Sequence, residues 1–259
     1  MDDQTANHPS DLARALASHL IAARERGRPL AAWRGYETLT ADDAYCVQSI
    51  VTESYGPAGG FKVACKPDQP NIMAPILTSD ILFSPAVLTA PGEENIGMEL
   101  EIGFRLLAPP PPVDIPDFTD RLRECVEVVP VIEIVRSRLS GHESAPALLK
   151  LADNQINGGL VAGAPLADWS PEDLSAVSAR LSLGGETVLD GMAHVPGGNA
   201  FANLCELVRM IGDHCGGLKP GHIVITGSLN GLPYVKPGMR IEGKIRGIGD
   251  VSLDLEAAP

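Results

Sequence analysis

Chemistry in this chain starts from three glutamates. In Gly97-Met98-Glu99-Leu100-Glu101-Ile102-Gly103-Phe104-Arg105-Leu106 the apolar residues alternate with Glu99, Glu101 and Arg105, which is a strand pattern. Side chains two apart on a strand share a face, so Glu99 and Glu101 stand side by side, about 7 Å apart at the backbone, and repel. A second stretch, Val128-Val129-Pro130-Val131-Ile132-Glu133-Ile134-Val135, reads as a strand buried on both faces with one carboxylate in it. Desolvating an ionised carboxylate costs several kcal/mol unless something pairs with it. One divalent cation shared by Glu99, Glu101 and Glu133 resolves both problems. The competing reading is a solvated sheet face for Glu99 and Glu101, with Glu133 paired to Arg105, Arg136 or Arg138. From pattern alone both stand open.

Other residues sit close to this chemistry in type. Lys62, in Gly59-Gly60-Phe61-Lys62-Val63-Ala64-Cys65, reads on its own as a snorkelling surface lysine on a short strand. If it faces the carboxylates it orients an anion or carries a proton. Thr226-Gly227-Ser228 ends an apolar strand in a glycine-rich loop whose amides and hydroxyls suit a carboxylate, though a plain β-turn is the commoner meaning. Asp153-Asn154 reads first as a turn or cap. The histidines His8, His19, His142, His194, His214 and His222 are scattered, with no two at ligand spacing on one helix. That disfavours zinc and favours an all-oxygen site for Mg²⁺ or Mn²⁺. No P-loop, dinucleotide-binding glycine motif, zinc-protease motif or nucleophile elbow is present.

The elements that must position these residues follow from the rest of the chain. Its 259 residues and 44% hydrophobic content, at a mean hydropathy near zero, describe an ordinary soluble protein with a core that needs no staples. A net charge of −13 excludes the electrostatic footprint of a nucleic-acid binder. An anionic substrate therefore needs local positive charge. Cys46, Cys65, Cys125, Cys205 and Cys215 are odd in number and widely spaced, as expected of buried thiols in a reducing cytoplasm. The N-terminus opens Met1-Asp2-Asp3-Gln4 with no secretory pattern, and no apolar run approaches a membrane span.

Ser10 predicts the cap of a helix carrying Leu12, Leu16 and Leu20 and ending near Gly27. Thr40 and Asp43 predict a capping box for a second helix that ends at Gly56, although Asp is shorter than the usual partner. Prolines 109 to 112 form an extended surface connection, followed by a short helix over 117–124 and a helical turn over 147–151. Residues 158–164 read as a buried strand, 177–183 and 186–189 as a hairpin through Gly184-Gly185, and 199–213 as a helix. Strands over 222–226, 239–245 and 251–255 complete the chain.

In this order, Gly-x-Lys-Val-Ala at 60–64, Met-Glu-Leu-Glu-Ile at 98–102, Ile-Glu-Ile-Val-x-Ser-Arg at 132–138, Ala-Asp-Asn at 152–154 and Thr-Gly-Ser-Leu-x-Gly at 226–231 resemble the fumarylacetoacetate hydrolase superfamily. The nearest branch is that of 2-keto-4-pentenoate hydratase and 4-oxalocrotonate decarboxylase, over roughly residues 36 to 256. The resemblance implies an α+β fold: an N-terminal helical region over 1–75 and a mixed, highly curved β-roll catalytic domain over 76–259. It implies that Glu99, Glu101 and Glu133 bind Mg²⁺ or Mn²⁺, that Lys62 lies over the site as a catalytic residue, that Thr226 or Ser228 holds a substrate carboxylate, and that Asp153 and Asn154 support the site. A 2-oxo acid or its dienol chelates the metal, whose Lewis acidity stabilises the enolate common to hydration and decarboxylation.

Hydration of 2-hydroxy-2,4-dienoates, as in aromatic hydrocarbon catabolism, is the first expectation. Decarboxylation of 4-oxalocrotonate is the second, and a non-catalytic metal-binding partner subunit the third. Relatives form homo-oligomers, and hydratases and decarboxylases of the branch associate with each other. Two departures stand out. The segment after Lys62 lacks the branch's acid followed by an aromatic and a glycine, leaving Asp68 or Asp80 as substitutes. The Gly-His-Pro-Leu-Asn that usually opens the late helix is Val195-Pro196-Gly197-Gly198-Asn199. The absence of a histidine between Lys62 and Glu99 argues against C–C hydrolysis.

Overall fold

In the computed structural model, which describes residues 9–31, 33–91, 94–170 and 174–258, the Ser10 hydroxyl accepts from the Ala13 amide and starts α1 (Asp11–Arg26). Gly27 ends it in a left-handed conformation. Thr40 and Asp43 bond each other's backbone amides, the full capping box, and start α2 (Ala41–Tyr55). Both helices bury one apolar stripe, Leu16, Leu20, Val47 and Val51, against each other and against Leu149 of α4 (Ala147–Ala152). The acidic opening residues and His8 lie outside the described residues.

The strands form two mixed sheets. The larger runs β2 (Ile72–Leu77), β1 (Ala58–Ala64), β10 (Ile223–Ser228), β5 (Ile96–Leu106), β6 (Val126–Val135), β7 (Asn157–Ala162), β3 (Ile81–Phe83), with β11 (Tyr234–Val235) pairing the start of β5. The smaller runs β4 (Ala86–Ala90), β13 (Gly249–Ala257), β12 (Met239–Ile245), β8 (Ala176–Leu183), β9 (Glu186–His194). β1 and β2 are strands of the larger sheet, so the helical N-terminal stretch ends at Tyr55 and Lys62 belongs to the sheet. With α3 (Phe118–Glu124) and α5 (Ala200–Ile211), the described residues make a mixed α/β fold of five α-helices and two sheets.

The alternation in β5 sets the core. Ile96, Met98, Leu100, Ile102, Phe104 and Leu106 are buried on one face, where Phe104 meets Trp169 and Phe201 at ring-centroid distances of 5.5 and 5.9 Å. Phe201, Leu204, Leu207, Val208 and Ile211 of α5 are buried, each stabilising the fold by about 1.5–3 kcal/mol relative to exposure. β12 approaches so closely that a Cβ on Gly243 would lie 2.6 Å from Leu100 Cδ1, so any larger residue there would force Leu100 to move. The opposite face of the larger sheet buries a smaller cluster, Ile76, Val129, Val131, Leu160, Ile223 and Ile225. Glu99, Glu101 and Glu133 project on that same face.

Candidate metal centre

The β5–β6 register pairs Glu99 directly with Glu133 and Glu101 with Val131. Because Ile132 and Ile134 pack into the apolar core, alternation turns Glu133 to the other face, toward the two glutamates of β5. One carboxylate oxygen from each of the three lies within 4.8 Å of the others, and this is the one such acid cluster among the described residues. Glu133 is fully buried and Glu101 nearly so.

Glu101 and Glu133 each have a fixed polar partner. The Gly227 amide donates to Glu101 Oε2 at 2.7 Å. Asn157 Nδ2 donates to Glu133 Oε1 at 2.7 Å, and Lys62 Nζ to the same oxygen at 2.5 Å. Lys62 is thus a buried partner of the acids and not the snorkelling residue that its own stretch suggests. Its Nζ also donates to the Gln155 carbonyl at 3.3 Å. Glu133 Oε2 has no hydrogen-bond partner although it is buried. An orphaned carboxylate oxygen facing two more carboxylates is what a hard cation with oxygen ligands would satisfy, so the residues fit a divalent metal ion.

The electrostatics agree. Burial, then the charge of Glu133, pushes the Glu99 carboxyl up to about 7, with Lys62 and Ser228 partly opposing. Burial and both neighbours push Glu101 well above the usual carboxylate range. Burial alone would lower the Lys62 ammonium, but Glu133, Glu99 and Glu101 outweigh it and hold it above its ordinary value. Without an ion the site holds more carboxylates than it can keep ionised.

The remaining candidates divide. The Ser228 hydroxyl donates to the Gly231 carbonyl at 2.7 Å and accepts from the Asn230 amide, and it lies close enough to Glu99 to oppose the rise of its carboxyl, so it stands beside the site. The Thr226 hydroxyl is buried and donates to the Ile102 carbonyl at 2.8 Å, a bond that fastens β10 to β5. Asp153 lies behind the site, fully committed to Arg138 Nε at 2.5 Å, the Arg138 amide and the Ser137 hydroxyl. It anchors Asn154, Gln155 and Ile156, three successive non-glycine residues with φ between 49° and 56°, and this turn aims the Gln155 carbonyl at Lys62. Such backbone is costly and persists only where its surroundings hold it. Asn154 Oδ1 is buried without a partner.

Arg105, Arg136 and Arg138 are not partners of Glu133: they bind Glu127, Glu94 and Asp153. Of the two suggested substitutes for the missing acid, Asp80 pairs with Arg24 and Asp68 sits in an exposed left-handed turn. The altered loop before α5 still works as a cap, Asn199 accepting from the Ala202 amide. Sequence reasoning missed Asn157, whose signal was a polar side chain opening an apolar strand, and the Gly227 amide, which grips a protein carboxylate.

With the fold and this cluster in view, comparison with known proteins is decisive at the level of family. The model of the fumarylacetoacetate (FAA) hydrolase C-terminal family matches residues 63–255, and the chain belongs to that family. It is 29% identical over 261 residues to the 2-keto-4-pentenoate hydratase of Paraburkholderia xenovorans (strain LB400), an alignment covering 93% of this chain and 94% of that one. Among solved structures it resembles 4-oxalocrotonate decarboxylase from Pseudomonas putida G7 complexed with calcium and acetate, at a TM-score of 0.77 and 20% identity over 96% of this chain and 98% of that one. The same enzyme complexed with magnesium and adipate gives the same TM-score and identity over 95% and 97%.

Proposed function

We propose that this protein is a divalent-metal-dependent hydratase of 2-hydroxy-2,4-dienoates and 2-oxo-4-enoates. The observation that carries the reading is the convergence of Glu99, Glu101 and Glu133 around the unpartnered Glu133 Oε2. Glu99, Glu101 and Glu133 would hold Mg²⁺ or Mn²⁺, which when bound supplies Lewis-acid stabilisation of charge developing on a 2-oxo acid. Three carboxylates and one divalent ion leave a charge of −1, and Lys62 offsets it. Its raised pKa keeps the ammonium charged, suited to attracting and orienting the substrate carboxylate. Asn157 and the Gly227 amide orient the acids, and Ser228 stands beside Glu99 to meet substrate.

The second reading, decarboxylation of 4-oxalocrotonate, draws on the likeness to the decarboxylase fold over nearly the whole chain. Purified protein with Mg²⁺ should remove the absorbance of 2-hydroxypenta-2,4-dienoate without releasing CO₂. CO₂ from a dicarboxylic 2-oxo acid would favour decarboxylation. Turnover of neither would favour a metal-binding partner subunit of such an enzyme.

We further read the larger sheet as the highly curved roll of this family, carried beside an N-terminal helical region. Three strand spacings of about 4.8 Å separate the backbones of β1 and β6 in a flat sheet, about 14 Å in all. The 2.5 Å contact of Lys62 with Glu133 spans that gap only with both long side chains turned along the sheet, and a sheet that curves toward this face shortens the reach. The five free cysteines support a reducing cytoplasm, and no helix among the described residues is long and apolar enough to cross a membrane. A homo-oligomer is part of the same proposal.

A further inference from the structure

The face of β5 that carries Glu99 continues one same-face step, about 7 Å, to Gly97. There β11 pairs with it, Tyr234 opposite Gly97 and Val235 opposite Ile96. Val235 is buried in the core with Ile96, so alternation puts the Tyr234 ring on the glutamate face. Gly97 has no side chain, and Leu232 leans over it: a Cβ there would lie 2.4 Å from the leucine. The space beside Glu99 is therefore bounded by Leu232 and the half-exposed Tyr234 ring.

Tyr234 does not point loosely into solvent. Its hydroxyl lies 2.8 Å from His142 Nε2, and the two rings are 6.1 Å apart between centroids. The pair joins the segment that follows β6 to β11, the strand that pairs with the start of β5. It thus bounds the glutamate face of β5 at its Gly97 end. Its surroundings are acidic: Glu143 lies 3.9 Å from His142, and burial, Glu143 and Glu99 together raise the Tyr234 hydroxyl above its ordinary pKa. Arg136 and Arg138, the cations that follow Glu133, are held by Glu94 and Asp153, and Lys62 by Glu133. A second carboxylate arriving at this end meets Glu143 and Glu99. A hydroxyl meets a fixed neutral donor and acceptor.

We propose that the Tyr234–His142 pair is the tail subsite of this enzyme, hydrogen-bonding a C4 hydroxyl on a 2-oxo monocarboxylic acid whose head sits at Glu99, Glu101 and Glu133. The inference rests on the 2-oxo acid reading given above and deepens it by naming the tail. Tyr234 is the specificity-determining residue, and His142 positions its hydroxyl.

The test is calorimetric binding, in Mg²⁺, of 4-hydroxy-2-oxopentanoate, of 2-oxopentanoate, which lacks the hydroxyl, and of the dicarboxylic 2-oxoadipate. Wild-type protein should prefer the hydroxylated acid roughly 2- to 12-fold over 2-oxopentanoate, the range for one neutral hydrogen bond, and should bind 2-oxoadipate weakest. In Tyr234→Phe the preference should vanish while affinities for Mg²⁺ and 2-oxopentanoate stay unchanged. His142→Phe should reduce the preference without abolishing it. Equal binding of the two monocarboxylates by wild type, a preference that survives Tyr234→Phe, or tightest binding of 2-oxoadipate would overturn the subsite alone. Binding of none of the three acids would overturn the 2-oxo acid reading, and the subsite with it.

Discussion

Replacing Glu99 by Gln should stabilise the metal-free protein, and increasingly so as the pH rises. In the folded chain the Glu99 pKa is raised from 4.5 to about 7 by burial and by Glu133. Between those values the folded protein holds a proton that the unfolded chain has released, so the contribution of this group to stability falls as pH rises and levels off above about 7. At ~1.36 kcal/mol for each pH unit of the displacement, the loss is on the order of 3 kcal/mol. Glu99→Gln has no such proton to lose. In EDTA, urea unfolding followed by tryptophan fluorescence should show the variant gaining about 2–3 kcal/mol on wild type between pH 5 and pH 8. Taking the difference cancels His214 and His222, whose buried rings are lowered in pKa and tilt both proteins equally in the other direction. Adding Mg²⁺ at pH 8 should stabilise wild type more than the variant, because the ion supplies the positive charge that the acids lack. Parallel stability curves for the two proteins in EDTA would refute the picture of a crowded acid cluster awaiting a cation.

Lys62→Met should lower kcat by about 10²-fold or more and shift Mg²⁺ binding to higher pH, since the Lys62 charge now holds Glu99 and Glu101 down; a kcat within a factor of a few of wild type would remove Lys62 from the reaction. Asp153→Asn leaves the Arg138 guanidinium buried with only carbonyl partners, Arg136 O, Asn157 O and Asp153 O. Its denaturation midpoint should report a loss of about 3 kcal/mol, the low end for a broken buried pair; no measurable loss would mean that the turn at 154–156 is held by other contacts.

How far the sequence reached differs from residue to residue, for physical reasons. Helix starts were legible because a cap is a local bond: Ser10 and the Thr40/Asp43 pair needed only their own turns. The strand character of β5 and the cost of burying Glu133 were legible from alternation and apolar context. What lay beyond reach was anything set by register. A one-residue slip between β5 and β6 would have sent Glu133 to the wrong face, and only the pairing of Glu99 with Glu133 fixes it. Lys62 looked like a surface lysine because periodicity says which way a side chain points but not what it meets there. His142 and Tyr234 are 92 residues apart, and neither stretch hints at the other. The left-handed Asn154-Gln155-Ile156 turn contains no glycine to announce it.

Crystals grown or soaked in Mn²⁺, with diffraction collected at the manganese absorption edge, would locate the ion itself. The anomalous map should hold one strong peak bounded by the carboxylates of Glu99, Glu101 and Glu133, lost in Glu133→Gln. A featureless map at that position, or a peak that persists there in the variant, would contradict the three-glutamate metal centre.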